Sequence, residues 1–197
     1  MLSKSELLKL LDRSEADQRL ILTPLLDEHQ IGAGSIDLRL GFTFILSRRA
    51  NISSLDPMQS PMDNVKEKYQ EQLTLSQGKA IYLHPGEFLL GASLEYLCLP
   101  NDVGAYVTSR SSWGRSGLVI ATATSVAPRF RGVITLELSN LGTVPVALRP
   151  GVRIAQIVFH YTDGTAEYDG RYSCPTLPAT GRIYQDSDLD FWRSSPP

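Results

Sequence analysis

One four-residue signal occurs twice in this chain and constrains its fold more than any other. Leu83-His84-Pro85-Gly86 and Leu148-Arg149-Pro150-Gly151 each lead into an extended apolar run, "EFLLGASLEYLCL" and "VRIAQIVFHY". Proline then glycine at the centre of a turn favours type II geometry, because the third residue must take a positive φ that glycine adopts without steric cost. Two such turns feeding two apolar strands predict related strand pairs in one all-β body. A repeat this short and single does not describe a solenoid. "SIDLRLGFTFIL" adds a strand by alternation, with Ile36, Leu38 and Leu40 on one side and Asp37 and Arg39 on the other.

The flanks are less regular. Ser3 followed by Glu6 reads as a capping box, and Leu7, Leu8, Leu10 and Leu11 mark a short amphipathic helix ending near Asp12. Residues 50–75 form a polar surface excursion carrying Pro57 and Pro61, with a short helix expected around "NVKEKYQEQL". From about residue 162 the chain is rich in Gly, Pro, Ser and Tyr and reads as an arm. The fold class is therefore mainly β, a distorted barrel or jelly-roll-like sandwich with a short N-terminal helix and minor helices. One domain is expected over residues 1–183, the arm included, with 184–197 as a C-terminal extension.

Composition narrows the function. With 197 residues, a 42% hydrophobic share and a net charge of −2, the chain can bury a core but carries no broad basic surface for nucleic acid. No apolar run reaches the roughly 18 residues of a membrane span, and the start lacks a signal-peptide pattern, so a cytoplasmic protein is expected. Two cysteines, Cys98 and Cys174, make neither a disulfide framework nor a metal cluster.

Against that near-neutral background, "TSRSSWGRSG" concentrates anion-binding groups. Arg110 and Arg115 are interleaved with Ser111, Ser112, Trp113 and Gly114. A solvated loop and a phosphate cradle both fit this composition. Downstream, "GVITLELSN" alternates Ile134, Leu136 and Leu138 with Val133, Thr135, Glu137 and Ser139. A glutamate within such a run is either a solvent-facing strand residue or a half-buried carboxylate able to act as a general base.

"SRSSWGRSGL", "APRFRGVITLELSNLG", "VALRPGVRIAQIVF" and "GSIDLRLG" together resemble the deoxycytidine triphosphate deaminases of the trimeric dUTPase-like superfamily. The resemblance extends over about residues 3 to 183. It implies a dUTPase-type fold, a homotrimer with active sites shared between subunits, a nucleoside triphosphate substrate (dCTP or dUTP), and Mg²⁺ brought in by the triphosphate. It implies deamination without zinc, and the chain lacks the H-x-E…P-C-x-x-C signature of zinc deaminases. By the same resemblance Glu137 activates the water that attacks cytosine C4, Ser111 and the Ala123 carbonyl hold that water, and Arg115 sets the protonation of the carboxylate. Arg110 and Ser112 fall on phosphate-binding positions, where a guanidinium can meet two oxygens at once. Gly114 admits close approach of the ligand. Thr135 and Leu136 line the base pocket through their backbone, and Tyr168, Arg171 and Tyr172 resemble the arm that covers the nucleotide. Trp113 is assigned chiefly to packing or the trimer interface.

The chain also departs from the family pattern. The family run Ile-Asp-Pro-Gly-Phe/Trp-x-Gly reads Val126-Ala127-Pro128-Arg129-Phe130-Arg131-Gly132 here, so Ala127 replaces the aspartate that meets the sugar 3′-hydroxyl and Arg129 replaces a glycine. In the arm, Arg171 replaces a lysine and Pro175 a glutamine. Three activities stay open on these residues: dCTP deamination to dUTP or onward to dUMP, a dUTPase-like pyrophosphatase, and a nucleotide-binding relative without catalysis.

Overall fold

The structure is a computed structural model that describes residues 1–58, 68–121, 125–164 and 174–194. Helix α1 (Lys4–Leu11) is capped by Ser3, whose hydroxyl accepts the Glu6 N–H, and buries Leu7 and Leu10. The Glu6 carboxylate does not return to the cap. It takes Lys9 at 2.6 Å and the Tyr161 hydroxyl at 3.2 Å, which ties the helix to the end of a long strand.

Strands β1 (Ile21–Thr23), β2 (Ile36–Arg39), β3 (Thr43–Ser47), β4 (Gln70–Thr74), β5 (Ile81–Leu83), β6 (Phe88–Cys98), β7 (Val103–Ser109), β8 (Leu118–Ile120), β9 (Ser125–Val126), β10 (Arg131–Asn140), β11 (Val146–Leu148) and β12 (Arg153–Tyr161) follow. They form a six-stranded sheet in the order β4-β3-β6-β10-β8 with β1 also on β6, a four-stranded sheet β2-β12-β7-β9, and a β5–β11 ribbon. Helix α2 (Ser111–Arg115) follows β7, and α3 (Asp188–Ser194) lies near the C-terminus. The inner faces bury Phe44, Leu97, Leu136 and Leu138 against Ile36, Leu38, Val107 and Phe159. The sheets are open and packed face to face, so the sandwich alternative holds and the barrel does not. Among the described residues β9 pairs with β7, and the two sheets meet at a single bridge, Leu40 opposite Ser93, where the chain leaves β2.

Both Pro-Gly turns take the expected form. The Glu87 N–H bonds the His84 carbonyl at 3.0 Å with Gly86 at φ 78°, and the Val152 N–H bonds the Arg149 carbonyl at 3.3 Å with Gly151 at φ 83°. The strands that enter them pair with each other, Leu83 opposite Val146 and Ile81 opposite Leu148. The strands that leave them, β6 and β12, lie in the interiors of the two sheets. The repeat in the sequence is thus a pair of equivalent corners, one per sheet.

A third such corner was hidden by its composition. Ala127-Pro128-Arg129-Phe130 closes with a 3.2 Å bond from the Phe130 N–H to the Ala127 carbonyl and feeds β10. Its third residue is Arg129, exposed and held at φ 64°. A side chain in the left-handed region costs about 1–2 kcal/mol, and glycine returns about 0.5–1 kcal/mol of that as chain entropy. Arg129→Gly is therefore expected to stabilise the protein by about 0.5–1 kcal/mol and raise Tm by about 1–4 °C. Thermal melting checks this; a lower Tm would mean that contacts of the Arg129 side chain hold the turn.

The 50–75 excursion differs from expectation. Its end, Gln70–Thr74, is not helical but an edge strand paired to β3 from Thr43↔Thr74 to Ser47↔Gln70. The exposed backbone edge of β3 offers a full ladder, which outweighs weak helix propensity in a short segment. The polar side chains of β4 suit a sheet edge. Lys68 and Tyr69, inside the expected helix, are helical, and residues 59–67, which include its expected start, lie outside the described residues.

Candidate active site

Glu137 sits in the middle of β10. Its neighbours Leu136 and Leu138 are fully buried in the core, so the alternation turns Glu137 to the opposite face of the large sheet. That face is not an ordinary solvated one. Across the ladders Glu137 is opposite Leu90, and Leu90 is opposite Ile45. Leu90 and Ile45 are only 6% and 5% exposed, and neither belongs to the core between the sheets. Ala92 and Val133 extend the same apolar strip. Burial beside these side chains pushes the Glu137 carboxyl above its ordinary pKa. Glu137 is therefore half-buried, neither a core residue nor a fully solvated one.

The free edge of β10 is covered in pieces. Strand β8 pairs with Leu138–Asn140, and the Ala121 N–H bonds the Glu137 carbonyl at 2.9 Å. Further down, the arm takes over: the Val133 N–H bonds the Pro175 carbonyl at 2.8 Å, and the Ala179 N–H bonds the Thr135 hydroxyl at 3.0 Å. A Cβ on Gly132 would stand 2.4 Å from the Pro175 ring, so glycine is what lets the arm lie this close. Pro175 thus anchors the arm on the site strand, beside Thr135 and Leu136.

The arginine segment folds as the short helix α2, entered from β7 and packed beside β8. Ser111, Ser112, Gly114 and Arg115 are exposed, and a Cβ on Gly114 would meet nothing within 4 Å among the described residues. Trp113 is half-buried against the core and donates its indole N–H to the Arg153 carbonyl at 2.9 Å, which agrees with a packing role. Arg110 is held on three sides. Its N–H bonds the Ile154 carbonyl, its Nη1 bonds the Arg153 carbonyl at 3.3 Å, and its Nε meets Asp37 Oδ1 at 3.2 Å. Arg153 reaches the other Asp37 oxygen at 3.4 Å. Asp37, 14% exposed on its side chain, therefore aims two guanidinium groups at once.

In the sequence Asp37 stands out only as one residue of "SIDLRLG", with no role of its own. An aspartate and an arginine interleaved with buried residues on one strand were the available signal. Glu95 left less trace. Two residues of β10, Val133 and Thr135, pair with Tyr96 and Ala92, so β6 carries a bulge opposite Ile134. The Ser93 hydroxyl bridges it, accepting from the Ile134 N–H at 2.8 Å and donating to the Glu95 carbonyl at 2.7 Å. Glu95 then points inward, wholly buried, and accepts the Arg39 N–H at 2.8 Å and Gln30 Nε2 at 2.7 Å. Burial raises its pKa, and these bonds act in the opposite direction. Arg39 and Asp37 lie on the same strand, so this buried carboxylate supports the mounting of Asp37.

Of the remaining expected residues, Ala127 opens the third corner turn. Ala123, Tyr168, Arg171 and Tyr172 lie outside the described residues.

A two-sheet β sandwich with a half-buried carboxylate on the outer face of the large sheet and an arginine helix linking β7 to β8 has a dUTPase-like fold. A solved dCTP deaminase from Agrobacterium tumefaciens shares it, with a TM-score of 0.59 and 26% identity over 82% of this chain. The chain spans about half of that longer chain, 48%. The model of the dCTP deaminase-like family matches residues 1–162. Similar relatives include a dCTP deaminase from Haloarcula marismortui, 43% identical over 96% of this chain and 97% of its own length. Another is a dCTP deaminase of the dUMP-forming kind from Methanosphaera stadtmanae, 37% identical over 96% of each. The chain belongs to the dCTP deaminase-like family.

Proposed function

We propose that this protein deaminates dCTP to dUTP and ammonia, with Glu137 as the general base and without zinc. The observation that carries the reading is Glu137 itself: a carboxylate half-buried in an apolar strip, with a raised pKa, on a strand whose edge the arm covers. A carboxyl whose pKa is shifted towards neutrality both accepts and returns a proton more readily than an ordinary glutamate. Water attacks C4 as Glu137 takes its proton. The same proton then goes to the amino group, the C4–N bond breaks as ammonia leaves, and the proton left on the new C4 hydroxyl passes to N3 to give the uracil carbonyl.

The other residues bind and position. Ser111 and the Ala123 carbonyl hold the water, and Arg115 sets the protonation of Glu137. Arg110, aimed by Asp37, and Ser112 meet the phosphates, with Gly114 giving room. Thr135 and Leu136 meet the base, and Tyr168, Arg171 and Tyr172 close the arm over it. The functional unit in this reading is residues 1–183, with 184–197 as an extension. Mg²⁺ supplies charge neutralisation on the triphosphate when bound. No group of three or more His, Cys, Asp or Glu among the described residues is placed to hold a metal, which suits an ion carried mainly by phosphate oxygens. Asp37 is already engaged by two arginines.

In this reading each site is completed by a neighbouring copy in a closed homotrimer, the symmetric arrangement that the family resemblance implies. Light scattering is expected to give three chains per particle at micromolar concentration; a stable monomer would remove the shared site.

The activity itself is tested by incubating purified protein with Mg²⁺ and dCTP, dUTP, dCMP or CTP, assaying ammonia and pyrophosphate separately. Ammonia from dCTP is the expected result. Pyrophosphate in addition identifies the dUMP-forming reaction, which the names of several relatives bring into view. Pyrophosphate from dUTP without ammonia from dCTP would mark a dUTPase-like enzyme. Binding without either product would put Ala127, Arg129 and Pro175 forward as the cause of lost turnover.

A further inference from the structure

We propose that Arg153 is a second phosphate-binding residue, which with Arg110 forms a two-guanidinium clamp for the phosphate chain of the nucleotide, an assignment that rests on the nucleotide reading of the arginine segment. A bulge puts the side chain there. Arg153 is opposite Arg39 and Ala155 is opposite Leu38, so β12 carries one residue more than β2 at this point, Ile154. Ala155 and Ile157 are buried in the core, and unbroken alternation from them would send Arg153 inward as well. The extra residue turns it out, to the face that Asp37 and Arg39 occupy between the buried Ile36, Leu38 and Leu40. Bulges re-aim single side chains in this way at the cost of a locally disrupted ladder.

Arg153 then stands with Arg110 around one carboxylate. Asp37 Oδ1 lies 3.2 Å from Arg110 Nε, and Oδ2 lies 3.4 Å from Arg153 Nη1, the same nitrogen that bonds the His29 carbonyl at 3.2 Å. Among the described residues no other carboxylate is within 4 Å of either guanidinium. Asp27 acts on Arg153 only from farther off. Two positive charges against one negative leave the pair a net cation. Arg39, opposite Arg153, turns its Nη1 to the Gly151 carbonyl at 2.9 Å, and its charge adds to the excess. Like charges opposite one another destabilise a sheet, and a bound anion offsets that cost.

Both guanidiniums keep donors for such an anion. Arg110 Nη2 and Arg153 Nε and Nη2 take no hydrogen-bond acceptor among the described residues, and the two side chains are 34% and 28% exposed. Paired N–H groups of a guanidinium match two phosphate oxygens. The Arg153 carbonyl takes the Trp113 indole N–H at 2.9 Å and Arg110 Nη1 at 3.3 Å, so helix α2 is docked on the residue whose side chain completes the clamp.

The test titrates the full-length protein with dCTP and with inorganic tripolyphosphate, as wild type, Arg153→Gln, Arg110→Ala and the double variant. Arg153→Gln is expected to weaken both ligands about 10- to 150-fold, the range for losing a charged hydrogen-bonded contact. It should weaken them again in the Arg110→Ala background, because its own contact with phosphate is lost there too. Arg153→Lys, which keeps the charge without the fork, should fall between. A single loss shared by both variants would make Arg153 only a support for Arg110 and overturn the clamp. A further measurement needs no variant and no turnover. Phenylglyoxal, which modifies guanidinium groups, should label Arg153 in the free protein, and tripolyphosphate should protect it together with Arg110, as mapped on peptides by mass spectrometry. Arg153 that stays unlabelled without the anion, or is labelled equally with it, overturns the clamp. Protection by tripolyphosphate without binding of dCTP would keep the clamp and remove the nucleotide reading, whereas dCTP binding indifferent to Arg153 would remove the clamp alone.

Discussion

Glu137→Gln is expected to abolish ammonia release from dCTP while leaving nucleotide binding largely intact. The amide keeps the shape of the side chain, so β10 and its apolar strip survive. It cannot take the proton of the attacking water at neutral pH. Loss of general acid–base catalysis typically costs about 10²–10⁴-fold, and a residue that moves the proton twice stands at the upper end or beyond. Single-turnover ammonia assays beside equilibrium binding measure both halves. Arg115→Ala should also act on turnover, whereas Arg110→Ala should weaken triphosphate binding, since its charge is aimed from Asp37 and not at Glu137. Wild-type deamination by Glu137→Gln would remove the base from this residue.

The same substitution carries a stability signature. Burial raises the folded-state pKa of Glu137 above its unfolded value, so its proton is bound more tightly in the folded protein. The favourable contribution is fully present below the unfolded pKa, near 4.3 for an ordinary glutamate, and is lost as pH rises through the folded value. Glu137→Gln escapes that loss. Its Tm should exceed that of wild type at pH 7, and the difference should close below about pH 4. A catalytic group that costs stability is the expected pattern for a carboxylate kept in apolar surroundings for its chemistry. Equal Tm values across the pH range would contradict the burial argument.

Glu95→Ala is expected to destabilise the protein by about 3–5 kcal/mol, the range seen when one partner of a buried charged network is removed. The change leaves the Arg39 N–H and one Gln30 donor without their acceptor inside the sandwich and opens a cavity at the β6 bulge. Glu95→Gln should fall between the two proteins. It keeps the volume, but its amide nitrogen must face one of those two donors. Urea unfolding measures all three. A loss under about 1 kcal/mol for Glu95→Ala would show that the surrounding chain closes over the site without this carboxylate. Because Arg39 follows Asp37 on β2 by two residues, the variant should also loosen the mounting of Arg110.

The three corner turns differ in how openly their sequences declare them. Pro85-Gly86 and Pro150-Gly151 were legible because type II geometry has a residue signature, and both turns adopt it. Pro128-Arg129 makes the same turn and was missed, because an arginine at φ 64° gives no local sign of the conformation it holds. The edge strand Gln70–Thr74 failed for a related reason. Its composition favours no strand, and only the exposed ladder of β3 makes it one.

Local chemistry determined most of the fold class and the choice of candidate residues. Alternation marked β2 and β10, Pro-Gly marked two corners, and the Arg-Ser-Ser and Leu-Glu-Leu segments picked out Arg110 and Glu137. All of these depend on neighbours within a few positions. Tertiary structure alone decided what surrounds them: the Leu90–Ile45 row beside Glu137, the Asp37 carboxylate shared by Arg110 and Arg153, the inward turn of Glu95 and the landing of the arm on the edge of β10. The physical reason is register. A strand sequence dictates which residues share a face, but the residue opposite is chosen by the partner strand, its bulge and the path of a distant arm.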